Sequence, residues 1–182
     1  MKYVYLKQKV FAIRDEYKVY DEVQNVLYEA KGKFFSLHSH KDIFKVDDPT
    51  PIYSIRQKVL TFVPTYFLYD RQNAVVAKLA QQLLAFFGVR FNLLIQGKKY
   101  EIQGDFFGYN YRIADENGTV VQIQKKFLAW GDTYQVAIED GFDEALAVSV
   151  VLMIDDFIDD KRRQAAAGGI AASSHSSGGR NR

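Results

Sequence analysis

Apolar and polar residues alternate with a period of two along most of this chain, in short runs separated by polar turns. The first runs are Val10-Phe11-Ala12-Ile13, Tyr17-Lys18-Val19-Tyr20 and Val26-Leu27-Tyr28-Glu29, then Phe34-Phe35-Ser36-Leu37 and Asp42-Ile43-Phe44-Lys45-Val46. Similar runs extend from Ile52 to Tyr69, from Val75 to Leu79, and on to Tyr134-Gln135-Val136-Ala137-Ile138. Residues two apart share a face of a strand, so each run predicts a half-buried β-strand. Short strands at regular spacing predict a sandwich or barrel over about residues 2–140.

A repeat underlies the alternation. Asp21, Asp70 and Asp115 each stand five residues before a Val, and each opens a polar turn between strands. Upstream, KVFAIRDEYKVYD (Lys9 to Asp21) lies over KVLTFVPTYFLYD (Lys58 to Asp70) without a gap, and the third copy keeps Tyr111 and Ile113. An Asp there bonds to the backbone two residues on, so these residues read as turn formers rather than ligands. Asp115-Glu116-Asn117-Gly118 is the clearest hairpin, because Asn-Gly accepts positive φ. A propeller would need more copies than ~140 residues supply; a closed or nearly closed meander, which leaves no exposed edge, is the better reading.

Two segments do not alternate. NAVVAKLAQQLLAFF (Asn73 to Phe87) has helix-forming composition, yet the repeat aligns Val75-Val76 with strand positions. A strand to about Ala80, a turn and a second strand from Gln82 are expected. The second is Ala145 to Ile154, ALAVSVVLMI, where only Ser149 interrupts the apolar run. A helix apolar on all sides must be enclosed by lipid or protein; ten residues fall short of the ~20 a membrane span needs. The valines favour a strand, but the turn-free length from Phe142 to Asp160 favours a helix over about 142–160. Asp140 or Gly141 is its expected N-cap, with Asp143 and Glu144 in the first turn.

Composition narrows the class. The 182 residues suit one domain, expected over 1–163, and 48% hydrophobic residues support a sizeable core. Residues 164–182, rich in Gly, Ala and Ser, read as a disordered tail. A net charge of +2 gives no whole-molecule attraction to nucleic acid, which is not an expected partner; local patches stay open. The absence of Cys removes disulfides and thiolate chemistry. The N-terminal stretch has no apolar core of signal-peptide length and no segment reaches spanning length, so the expected location is cytoplasmic, or peripheral at a membrane.

Strands with a repeated Asp turn, a wholly apolar helix and then acids make an order that resembles the LURP-one-related family, its bacterial branch in particular. Lys7-Gln8-Lys9-Val10-Phe11, the overlapping Phe11-Ala12-Ile13-Arg14-Asp15 and Val19-Tyr20-Asp21 carry the resemblance. So do the run from Val26-Leu27-Tyr28-Glu29 through Ala30-Lys31-Gly32-Lys33 and the closing apolar run with Asp155-Asp156. It covers about residues 1–163. It implies a Tubby C-terminal-like fold: a closed antiparallel barrel of about twelve strands, built as a duplicated meander, around a central hydrophobic helix. It also implies distant kinship with phospholipid scramblases and with the phosphoinositide-binding Tubby proteins, although no motif here carries their basic residues over.

Three constellations carry candidate chemistry. His38-Ser39-His40 would set two imidazoles on one strand face with Asp42 next, a set that suits a divalent metal. A solvated strand end is the simpler reading, so no metal or other cofactor is expected. Asp155, Asp156, Asp159 and Asp160 form like-charged i,i+4 pairs on a helix, which suggests solvent exposure or a cation; a barrel-rim cap against Lys or Arg from the strands is the structural reading. Lys31, Lys33, Lys98, Lys99, Lys125 and Lys126 could together form a basic face for phosphate groups. No phosphate loop, dinucleotide fingerprint or nucleophile elbow occurs. The resulting expectation is a non-enzymatic module binding an anionic lipid head group or a protein through its barrel loops. A hydrolase with an unrecognised carboxylate site is the alternative.

Overall fold

The computed structural model describes residues 1–9, 16–32, 40–58, 61, 63–82, 89–105, 110–128 and 131–173. Twelve strands precede one helix among them. The first six are β1 (Lys2–Gln8), β2 (Glu16–Tyr20), β3 (Val26–Gly32), β4 (His40–Lys45), β5 (Tyr53–Gln57) and β6 (Thr65–Tyr69). Then come β7 (Val75–Gln81), β8 (Val89–Ile95), β9 (Lys98–Gly104), β10 (Asn110–Asp115), β11 (Gly118–Leu128) and β12 (Gly131–Ile138). Each strand pairs with the next, and β12 returns to pair with β1, closing an antiparallel barrel. Closure satisfies the ladder on both sides of every strand.

Alternation fixes which side chains fill the barrel. Val4 and Leu6 of β1 set the pattern, and Val19, Ile43, Ile55, Leu68, Leu79, Ile102, Ile113, Val121 and Val136 repeat it around the wall, all fully buried. The helix α1 (Glu144–Ser173) runs inside them from Leu146 to Phe157. Ala147, Val148, Val150, Leu152 and Met153 have no exposed surface, and Phe157 meets Phe91 edge-on at 4.8 Å between ring centres. The run is apolar on every side because the barrel wall surrounds it. Ser149, also fully buried, donates its hydroxyl to the Ala145 carbonyl at 2.6 Å, so even this polar atom is satisfied within the helix.

The Asp repeat has a structural counterpart every fourth strand. Register shifts occur at Val19/Tyr20, Leu68/Tyr69 and Ile113/Ala114, one position before Asp21, Asp70 and Asp115. The Asp21 carboxylate accepts from the Val23 and Asn25 amides, Asp70 from Ala74, and Asp115 from Asn117. The third residue after each Asp has positive φ: Gln24 at 67°, Asn73 at 62° and Gly118 at 137°. Bulge, carboxylate and left-handed residue thus build the same kind of corner three times.

Three boundaries differ from the sequence expectation. The N-cap is Asp143, whose Oδ1 accepts from the Leu146 amide at 2.7 Å. Asp140 instead pairs with the N-terminal ammonium, and Gly141 takes φ 91° in the turn before the helix. In the 73–87 segment, β7 ends at Gln81, and Gln82 lies beyond it with its amide donating to the Arg90 carbonyl. Residues 83–88, which take in most of the strand expected from Gln82, lie outside the described residues, and β8 begins at Val89. The helix continues to Ser173 through Ala165, Ala166 and Ala167, residues of high helix propensity, so the segment expected to be a disordered tail starts as helix.

Candidate functional site

Beyond Ile154 the helix turns acidic, and the barrel wall answers it. Asp155 accepts from the Tyr17 and Tyr134 hydroxyls, and the Lys125 Nζ lies 3.8 Å from it. Asp156 pairs with Lys41. Lys41 also sits over the Tyr17 ring at 4.7 Å and Lys125 over the Tyr134 ring at 4.9 Å. One turn on, Asp160 accepts from Tyr66 at 2.6 Å and from Gln57 at 2.8 Å, and from Arg163 on its other oxygen. Burial, and then the bond to Asp160, raises the Tyr66 hydroxyl well above its ordinary pKa. Lys41, Asp155 and Asp156 are each at most 4% exposed, which is tolerable only because every charge has a partner.

This arrangement sorts the acidic cluster of the sequence. Asp155, Asp156 and Asp160 bind strand residues rather than lying on a solvated face, and a strand lysine answers each of the first two. Repulsion between i,i+4 carboxylates is offset by opposite charge from the wall.

The six lysines read as a basic face do not share one. Lys125 has the same parity as Val121 and Ile123 and points into the barrel, 7% exposed; its place in the basic face is corrected to one in the interior network. Lys126 is its outward neighbour, exposed on β11. Lys31 sits on β3, where it and Lys18 bond Glu29 at 2.8 and 3.4 Å. Lys33 lies outside the described residues. Gln96 and Gly97, with φ of 48° and 85°, form the β8–β9 turn, and Lys98 and Lys99 open β9 rather than lying in that turn. Strands β3 and β9 stand on opposite sides of the barrel, six places apart in its order. Lys98 is held by Asp115 at 2.6 Å, which keeps that carboxyl below its usual range.

Lys99 belongs to a different group. On the outer face the register places Lys78 of β7 opposite Leu94 of β8, and Leu94 opposite Lys99 of β9. These three residues line a cleft of about 1130 Å³ across β7 to β11. Lys78 and Lys99 are exposed, and neither has an ion-pair partner among the described residues. Arg112 and Glu101 border the same cleft deeper along the sheet. Sequence reasoning misses Lys78 and Arg112, although the parity of Lys78 against Ala77 and Leu79 already marks it as outward.

A second, smaller cleft of about 560 Å³ adjoins the first over β9 to β12 and β1. Five of its lining residues, Gln103, Asn110, Gln122, Gln124 and Gln135, carry side-chain amides. Of the His38, His40 and Asp42 set, His38 lies outside the described residues, and His40 Nε2 is 3.3 Å from Asp42 Oδ1. Asp42 also accepts from Ser54 at 2.6 Å. Among the described residues no three His, Cys, Asp or Glu side chains are placed to hold a metal ion. No described helix is long and apolar enough to cross a membrane.

Comparison with known proteins places this architecture. The chain is 26% identical over 152 residues to the uncharacterised protein YxjI of Bacillus subtilis (strain 168), covering 84% of this chain and 91% of that one. An Arabidopsis thaliana protein of known X-ray structure has the same fold, with a TM-score of 0.62 at 14% identity over 86% of this chain and 91% of its own. None of these relatives indicates a catalytic family. The LURP-one-related family model matches residues 3–155, which takes in the whole barrel and the helix down to its first buried aspartate, and the chain belongs to that family.

Proposed function

We propose that this protein is a non-catalytic binding module that receives an anionic head group on the outer face of β7 to β9, at a membrane surface. The observation that carries the reading is the row Lys78, Leu94, Lys99. Two exposed ammonium groups flank an apolar side chain across three adjacent strands, about 4.8 Å apart in the sheet. Such a row suits a phosphate beside the acyl boundary of a lipid layer. The interior carboxylates, which a hydrolase would need exposed to substrate, are engaged by Lys and Tyr partners inside the barrel.

Co-sedimentation with vesicles tests this. Phosphatidylcholine vesicles carrying phosphatidylserine should pull the protein down, and raised salt should release it, because exposed charges are screened over a Debye length of about 8 Å at physiological ionic strength. Lys78→Glu/Lys99→Glu should abolish the binding while the protein stays folded. Soluble glycerophosphate that competes fully would identify a free phosphate ester rather than a lipid surface as the ligand. Equal binding by the wild type and the double variant would overturn the reading.

A further inference from the structure

We propose that the smaller cleft beside the lysine row is a separate site for an uncharged saccharide. Its floor is Ala137, which stands between Gln122 of β11 and Tyr3 of β1 in one cross-strand row. Gln124 and Gln135 form the next row. The small Ala137 side chain leaves a depression between these longer neighbours, and the cleft of about 560 Å³ opens over it. Soluble surfaces usually mix charges of both signs; the outward positions of β11 and β12 over this cleft, Gln122, Gln124 and Gln135, carry amides.

Three features define what such a wall recognises. First, Gln122, Gln124 and Gln135 make no side-chain hydrogen bond among the described residues. Each therefore presents an amide oxygen and two N–H donors outward. A sugar hydroxyl both donates and accepts, so a pair of neighbouring hydroxyls matches a primary amide in a way that neither a carboxylate nor an ammonium can. Second, the strand geometry spaces the amides about 4.8 Å apart between strands and about 7 Å along one strand, which lets one ring be held from two sides. Third, Tyr3 stands partly exposed in the wall of the cleft, an apolar ring with a polar tip on which a sugar ring can rest.

The charge balance separates this cleft from its neighbour. Arg112 and Asp105 both border it, one of each sign. The Arg112 guanidinium donates to the Gln103 side-chain Oε1 at 2.5 Å, and Asp105 accepts from the Asn110 side-chain Nδ2 at 2.8 Å. Both charges are thus already bonded to amides of the wall, which they orient. An anion gains no unbalanced positive charge here, whereas a neutral polyol gains the amides.

The test is a titration followed by NMR of the glutamine side-chain amide signals, with the full chain at neutral pH. The probes are maltose, cellobiose and N,N′-diacetylchitobiose, with glycerol as a control for non-specific hydroxyl contact. At least one disaccharide should shift the Gln122, Gln124 and Gln135 amide signals saturably, and glycerol should not. Gln122→Ala/Gln135→Ala should weaken that binding about tenfold or more, and Tyr3→Ala independently so. Lys78→Glu/Lys99→Glu should leave it unchanged, which separates this site from the anionic one. If no disaccharide moves the amide signals, or if glycerol moves them equally, the proposal is wrong. Binding that survives both the glutamine and the tyrosine substitutions would also overturn it.

Discussion

Lys41 and Lys125 inside the barrel contrast with Lys78 and Lys99 outside it. All four are strand lysines, yet the interior pair is at most 7% exposed and meets Asp156 and Asp155, while the exterior pair faces solvent across a cleft. One residue of register separates the two fates, as Lys125 and Lys126 show side by side. A buried ammonium is tolerated only with a carboxylate at hand, so the interior lysines position the helix and have nothing left to offer a ligand. An exposed ammonium contributes little to stability and remains available. Interior charge builds this molecule, and exterior charge is what the proposed binding draws on.

Breaking the interior should have the largest effects. Leu152→Asp, or Val151→Asp, sets a carboxylate without a partner at the barrel centre, at a cost of more than about 4 kcal/mol. Either variant should lose its near-ultraviolet circular dichroism and its dispersed NMR spectrum. Lys41→Met removes the buried lysine that pairs with Asp156 and should cost about 3–5 kcal/mol in denaturant unfolding, with Lys41→Met/Asp156→Leu recovering most of that. Tyr66→Phe removes one bond to Asp160 and leaves that carboxylate with Gln57 and Arg163. Its cost should be ~1 kcal/mol.

Titration sharpens the comparison further. Hydrogen bonds from Lys31 to Glu29, from the Thr50 amide to Asp48 and from Lys98 to Asp115 hold all three carboxyls below their ordinary values. Their folded pKa values are depressed, so the stability they add is present above the unfolded values of about 4 and is lost as pH falls through the folded ones. Tyr66 has the opposite sign. Its raised pKa adds stability below the unfolded value of about 10 that is lost as pH rises. Thermal midpoints across pH should therefore decline at both extremes, and Tyr66→Phe should flatten the alkaline limb only. At the small end, Lys78→Glu/Lys99→Glu should change unfolding free energy by no more than about 0.5 kcal/mol.

Much of this was legible in the sequence because a strand has a strict period. Alternation marks the strands, the repeated Asp marks the bulged corners, and an all-apolar run requires an enclosure, which the barrel supplies. The same parity rule assigns Lys41 inward with Ile43 and Lys125 inward with Ile123; grouping lysines by type instead of parity places Lys125 on the wrong side of the wall. The N-cap was less legible, since Asp140 and Asp143 are equivalent by composition and only the turn at Gly141 separates them. The lysine row was not legible at all. It depends on cross-strand register among β7, β8 and β9, and on a Gln96-Gly97 turn in which a non-glycine residue takes positive φ. Neighbours across strands leave no trace in local sequence.

The most direct test of the division between interior and exterior charge is anionic-vesicle binding by Lys41→Met/Asp156→Leu, measured beside Lys78→Glu/Lys99→Glu. The account predicts that the interior variant, with its ion pair replaced by apolar side chains, binds as the wild type does, and that the exterior variant, equally well folded, does not bind. Loss of binding in the folded interior variant, with binding kept in the exterior one, would contradict it.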